Sequence, residues 1–274
     1  MDILQSIILG LIQGLTEFLP ISSTAHLRVI PALLGWQDPG AAFSAVVQLG
    51  TLAAVLVYFF KDLVEIAVAW GRGLLARRPF ADPKAKIAWI LIFGTLPIGV
   101  VGLLFQDSIE TTLRSLWVVA LALIGLALLL AFSEAVGKKH RTQSQIGWRD
   151  GLMIGLAQTL ALIPGASRSG VTITAGLFAG LNRADAARFS FLLSVPAVAA
   201  SGLYEALKLA RLELGQVSWL AVGLATSVAA VSGYLAIAGL IRFLQKRSTL
   251  VFIVYRILLG GCLIGLLASG QLVS

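Results

Sequence analysis

The sequence predicts an all-α polytopic membrane protein, with six transmembrane helices plus two re-entrant helix-break-helix hairpins arranged as inverted-topology repeats. Three observations carry this. Hydrophobic residues make up 58% of the 274 positions and charged residues only 12%, with a mean hydropathy of +0.93, whereas a soluble domain carries roughly 25% charged residues. Six apolar stretches are each long enough to cross a bilayer. Two further regions, polar at their centres, match each other along the chain.

The six stretches are about 41–60, 87–105, 116–135, 186–207, 218–241 and 250–270, each bounded by charge or by Gly and Pro. Regions 3–35 and 150–182 read differently: each has a Pro-containing polar centre flanked by only about 15 apolar residues per side. Such an element enters the bilayer and returns to the same face, which is tolerated where protein or water covers the broken backbone. The chain is expected to form a single membrane domain, 1–274, with repeat 1 about 1–145 and repeat 2 about 146–274.

The repeat rests on ordered matches at offsets of 144 to 146. Gly10-Leu11-Ile12-Gln13 aligns with Gly155-Leu156-Ala157-Gln158. Pro20 and Ser22-Ser23-Thr24 align with Pro164 and Ser167-Arg168-Ser169, and Phe43-Ser44 aligns with Phe189-Ser190. Three crossings lie between the hairpins, so the second enters from the face opposite to the first, an arrangement found in transporters.

Charge tests the count. One face collects 15 of the 21 Lys and Arg residues, in the segments 61–86, 138–149, 183–188 and 242–247. The other face receives four, Arg28, Arg114, Lys208 and Arg211, leaving Arg168 and Arg256 at membrane depth. The basic face is expected to be cytoplasmic, with both termini and the mouth of the first hairpin outside. The net charge of +8 follows from this topology. It forms no basic stripe with interleaved aromatics, so no nucleic-acid partner is implied. The single Cys262 offers neither a disulfide framework nor a thiolate metal site, and the N-terminus has no basic segment or cleavage site typical of a removable signal peptide.

Within the first hairpin, Gln13 and Glu17 are four apart and share a helix face, aiming oxygens at one cation or proton. Ser22, Ser23 and Thr24 follow the break at Pro20 and open a helix, a position that favours anions. In the second hairpin, Gly165 and Gly170 allow close backbone approach, and Arg168 offers a permanently charged fork for phosphate oxygens. Ser167, Ser169 and Thr172 add neutral donors. A purely structural ion pair between Glu17 and Arg168 is the competing account. His26, three residues after Ser23, suits a general acid or base, against an interfacial role. His140 lies in a basic loop and is assigned no chemistry. Arg256 and Glu205 read as helix-end or inter-helix partners, Ser227 and Ser232 as packing hydroxyls, and Trp117, Trp148 and Trp219 as interfacial anchors.

At these two motifs the chain resembles the undecaprenyl-diphosphate phosphatases of the bacitracin-resistance type. Their (Glu/Gln)-x-x-x-Glu motif, running into Pro-x-Ser-Ser-Thr-x-His, is matched by Gln13, Glu17, Pro20, Ser22, Ser23, Thr24 and His26. Their Pro-Gly-x-Ser-Arg-Ser-x-x-Thr signature is matched by Pro164, Gly165, Ser167, Arg168, Ser169 and Thr172. The resemblance implies hydrolysis of undecaprenyl diphosphate to the monophosphate at the outer side of the bacterial cytoplasmic (inner) membrane. That recycles the lipid carrier of cell-wall synthesis and gives bacitracin resistance.

By matching position, Glu17 with Gln13 would hold a divalent cation, Mg²⁺ or Ca²⁺, or activate water. Ser23 would be the nucleophile with His26 as its partner, and Arg168 would act on the phosphoryl group. Ser22, Thr24, Ser167, Ser169 and Thr172 would bind the diphosphate. The chain departs from the family's di-acidic form at Gln13, which cannot act as a base. The expected partners are the polyprenyl diphosphate, membrane lipids and a second copy in a homodimer; small residues such as Gly99, Gly102, Gly223 and Gly233 allow close helix contacts, either within the chain or between chains. The architecture alone also suits a secondary transporter or lipid flippase.

Overall fold

A computed structural model describes residues 3–38, 40–211 and 219–272. The first hairpin region forms α1 (Ile3–Phe18) and α2 (Ser23–Leu34) around a break at Leu19–Ser22. Then follow α3 (Gly40–Tyr58), α4 (Phe60–Leu75), α5 (Pro83–Leu104), α6 (Gln106–Glu110) and α7 (Leu116–Val136). The second hairpin is α8 (Trp148–Gln158), a 3₁₀ turn at Thr159–Leu162, a break and α9 (Arg168–Phe178). The chain continues as α10 (Arg183–Arg211), α11 (Trp219–Leu244) and α12 (Leu250–Ala268). Among the described residues there is no β-strand, only an isolated bridge between Arg141 and Leu181.

The six stretches expected to cross the membrane are α3, α5, α7, α10, α11 and α12. Their outward faces carry apolar side chains such as Val57, Leu103, Leu121 and Val231, each more than half exposed, which is the surface a lipid solvent calls for. One element differs from the expectation. The basic segment after α3 contains the amphipathic α4, bent by 78° from α3 at Phe59. Arg188 of α10 fixes the corner, bonded to Asp62 at 3.0 Å and stacked over the Phe59 ring at 5.2 Å.

Packing is reciprocal between the halves. α1 lies on α11 and α8 on α5; α3 also contacts α11 and α10 also contacts α5; α3 meets α10 and α7 meets α12. Small residues make this possible. A Cβ at Gly10 would stand 2.4 Å from the Ala225 carbonyl oxygen of α11, and one at Gly155 would stand 2.3 Å from the Gly94 oxygen of α5. Lipid offers no hydrophobic drive between helices, so such close approach supplies the van der Waals contact that holds them together. The exposed Trp117, Trp148 and Trp219 stand at helix starts, in keeping with interfacial anchoring. Lys208 and Arg211, and the Glu205 side chain, lie outside what is described at side-chain level.

Candidate functional site

The two breaks are built alike. Ser22 and Ser167 both have positive φ, 74° and 69°, and each accepts a hydrogen bond from the third residue of the helix it caps, Ala25 N at 3.3 Å and Gly170 N at 3.1 Å. A left-handed backbone costs a non-glycine residue about 1–3 kcal/mol, and such strain gathers at functional sites. It turns the chain so that α2 and α9 start at the tip of each hairpin, where the first N–H groups of a helix have no intrahelical partner.

The tips meet. Arg168 Nη2 lies 2.5 Å from Glu17 Oε1, with the carboxylate side chain 5% and the guanidinium 13% exposed. The other carboxylate oxygen, Oε2, accepts from the Ser23 hydroxyl at 2.6 Å and from Gln13 Nε2 at 2.8 Å. Gln13 Oε1 is buried and has no hydrogen-bond partner. Ser169 Oγ donates to the Leu19 carbonyl of the other hairpin at 3.0 Å.

Beside this cluster is a cavity of about 480 Å³. Glu17, Ser22, Ser23, Thr24, Ser167 and Arg168 form its polar end, and residues of α5 and α10, among them Ile98, Leu103, Ala197 and Val198, form its apolar wall. Leu103 and Tyr204 line it and are also largely exposed on the outer surface, so the cavity opens sideways between α5 and α10. A ligand with a charged head and an apolar tail fits such a space from the bilayer.

Not every expected residue faces the cavity. Gln13 stands behind Glu17. Ser169 is turned to Leu19, and Thr172 donates to the Arg168 carbonyl at 2.7 Å and sits 2.6 Å from Ser190 Oγ. The expectation that His26 partners Ser23 is corrected by the geometry. His26 Nδ1 donates to the Ser22 carbonyl at 2.7 Å, and in the neutral ring Nε2 accepts from Tyr255 O–H at 2.6 Å, with the two rings stacked at 5.6 Å. On an α-helix His26 lies three residues past Ser23 on the side facing α12, and Glu17, not His26, is the side chain in contact with the Ser23 hydroxyl. Of the two readings of Arg256 the inter-helix one holds: it is wholly buried within α12, away from the helix ends, and bonded to backbone carbonyls of α7 and of both breaks. The lone mid-span charge was visible in sequence, but its partners were not.

Among the described residues no group of three or more His, Cys, Asp or Glu side chains could hold a metal ion. One carboxylate and the orphaned Gln13 Oε1 nonetheless suit a hard cation that takes its remaining ligands from water and phosphate.

Comparison with known proteins places the whole chain in one family. The family model described as bacitracin resistance protein BacA matches residues 6–262. An undecaprenyl-diphosphatase of Chlorobium phaeovibrioides is 54% identical over 282 residues, covering 99% of each chain. One of Chloroherpeton thalassium is 52% identical over 280 residues, again 99% of each. One of Myxococcus xanthus is 54% identical over 272 residues, 99% of this chain and 91% of the relative.

Proposed function

The chain belongs to the bacitracin resistance protein BacA family and is a multi-pass membrane undecaprenyl-diphosphatase, and from that premise we propose how its two hairpin tips perform the hydrolysis. The observation that carries the reading is the Glu17 carboxylate, held between Arg168 on one oxygen and Ser23 on the other at the polar end of the cavity.

The diphosphate head lies against Arg168, the N-termini of α2 and α9, and the hydroxyls of Ser22, Thr24 and Ser167, while the isoprenoid tail leaves between α5 and α10 into lipid. Phosphoryl transfer asks a protein mainly for positioning and for neutralising charge on the phosphoryl oxygens, and Arg168 with two helix N-termini does this. Glu17 Oε2 takes the Ser23 proton as Oγ attacks the terminal phosphorus. The bridging P–O bond breaks, undecaprenyl phosphate leaves, and phospho-Ser23 remains. Glu17 passes the proton it took from Ser23 to the departing undecaprenyl phosphate and is again ionised; it then takes a proton from the water that attacks phospho-Ser23, the Oγ–P bond breaks, that proton returns to Ser23 Oγ, and inorganic phosphate departs.

Binding of the diphosphate loosens the Glu17–Arg168 contact, which frees the carboxylate to act as a base. Ser169 and Thr172 hold the second tip in shape. Glu17, with the unpartnered Gln13 Oε1 behind it, would hold a divalent cation, Mg²⁺ or Ca²⁺, which would supply further positive charge for neutralising the diphosphate. The loops rich in Lys and Arg lie in the cytoplasm and the cavity serves the outer leaflet of the inner membrane.

The deciding experiment is phosphate release by purified, detergent-solubilised protein given undecaprenyl diphosphate, with and without chelator. Release that needs the cation is expected. No release under either condition, from protein that is folded, defeats the reading.

A further inference from the structure

Arg256 sits in the first half of α12 with 0% of its surface exposed. A charged side chain at membrane depth ordinarily pairs with an opposite charge or lines a polar passage. Among the described residues, Arg256 has no carboxylate partner within ion-pair distance, and it does not line the cavity. Its guanidinium donates instead to five backbone carbonyls. Nε and Nη2 reach Leu123 and Ala122 of α7 at 3.1 and 3.2 Å. Nη1 reaches Pro20 at 3.3 Å, and Nη2 reaches Gly165 and Ala166 at 3.2 and 3.0 Å.

Those last three carbonyls belong to the two breaks. A broken helix in a membrane leaves carbonyls that water cannot serve, and each such group costs several kcal/mol unless paired. One side chain satisfies both hairpins at once. Pro20 lies midway between Glu17 and Ser23, and Gly165-Ala166 leads directly into Ser167-Arg168. The backbone on which the reacting groups are mounted is therefore bonded to a single rigid fork. Gly170 leaves room for it, since a Cβ there would stand 2.7 Å from Nη1.

We propose that Arg256 is a positioning residue that sets the register between the two hairpin tips, and so governs turnover by Glu17, Ser23 and Arg168 without touching the substrate. The inference rests on the phosphatase reading above. Lysine keeps the charge but offers three donors from one point in place of the planar fork, so Arg256→Lys loosens the register while leaving the cavity intact.

The test measures kcat and KM for undecaprenyl diphosphate on wild type, Arg256→Lys, Arg168→Lys and the double variant, with thermal unfolding of each in detergent. The expected result is a folded Arg256→Lys with kcat lower by about 10- to 100-fold and KM within about threefold of wild type. In the Arg168→Lys background, where the fork being aligned is already gone, the same change costs less than about threefold more. A kcat within threefold of wild type, or losses that simply multiply in the double variant, overturns the proposal. Where Arg256→Lys gives no folded protein, Arg256→Gln is put through the same comparison; failure of both to fold overturns it in favour of an architectural role alone. Wild type that releases no phosphate defeats the phosphatase reading itself, whereas wild-type turnover with an unaffected Arg256→Lys removes only the positioning role.

Discussion

Ser22 and Ser167 hold the same strained backbone in the two halves of the chain, each capping the helix that follows with its own hydroxyl. The residue after each differs in kind, Ser23 in one half and Arg168 in the other. One backbone device, used twice, thus aims a hydroxyl and a guanidinium at the same carboxylate from opposite sides.

Exchanging the charged pair separates folding from chemistry. Removing one member of a buried pair costs about 3–5 kcal/mol, so Glu17→Ala and Arg168→Ala lower both the melting temperature and phosphate release. Glu17→Gln lowers release by about 10²–10⁴. The double exchange, Glu17→Arg with Arg168→Glu, regains much of the melting temperature but no turnover, because the base no longer stands beside Ser23. Turnover in the exchanged protein would show that the pair is structural and nothing more.

Ser23→Ala removes the hydroxyl that donates to Glu17. Stability falls by about 1 kcal/mol while turnover falls by about 10³ or more. Rapid quench with labelled substrate traps phosphoserine in the wild type and none in the variant. Near-normal release by Ser23→Ala would mean that water attacks directly.

His26 acts on the Ser22 carbonyl, so what its replacement must supply is a donor at the Nδ1 position. Asparagine provides one. Release by His26→Asn is expected to exceed that of His26→Ala by about tenfold, and Tyr255→Phe, which loses one hydrogen bond worth about 1 kcal/mol, is expected to stay within about tenfold of wild type. Equal activity in the two His26 variants would return the imidazole to proton transfer.

Gly155→Val drives a side chain into the Gly94 backbone. Overpacking of this kind costs about 1–3 kcal/mol, and because α8 carries the second hairpin, activity falls with stability. Gly125→Ala, which meets nothing within 4 Å, is the matched control and stays at wild-type level in both a thermal scan and the phosphate assay.

Orientation is read by cysteine labelling. In a background with Cys262 replaced, Lys84→Cys and Arg141→Cys react with an impermeant maleimide only after the inner membrane is opened. Labelling of intact spheroplasts at either position reverses the assigned sidedness.

Much of this architecture is legible in the sequence because its causes are local. Apolar length places the six spans, and Pro20 with Pro164 places the two breaks. The α3–α4 corner at Phe59 is not legible, since no Gly or Pro marks it and its cause, Arg188, lies 126 residues from Asp62. The same holds within the site. Gln13 and Glu17 share a face by spacing alone, whereas the partner of His26 is 229 residues away in α12. The role of Arg256 was hidden for a further reason: its partners are carbonyls, which every residue carries and no residue type announces.

Those distances along the chain also set the order of assembly. Glu17 is translated 151 residues before Arg168, and Pro20 is translated 236 residues before Arg256. At about 5–20 residues per second, the first hairpin waits roughly 10–50 seconds for the helix that completes it. Through that interval an acidic side chain and a broken backbone must be kept within reach of water or of the insertion machinery, and release into lipid comes late. The helix that closes the molecule emerges after the elements it joins, so a ribosome that stops short of α12 leaves a chain with both hairpins but an unsealed centre.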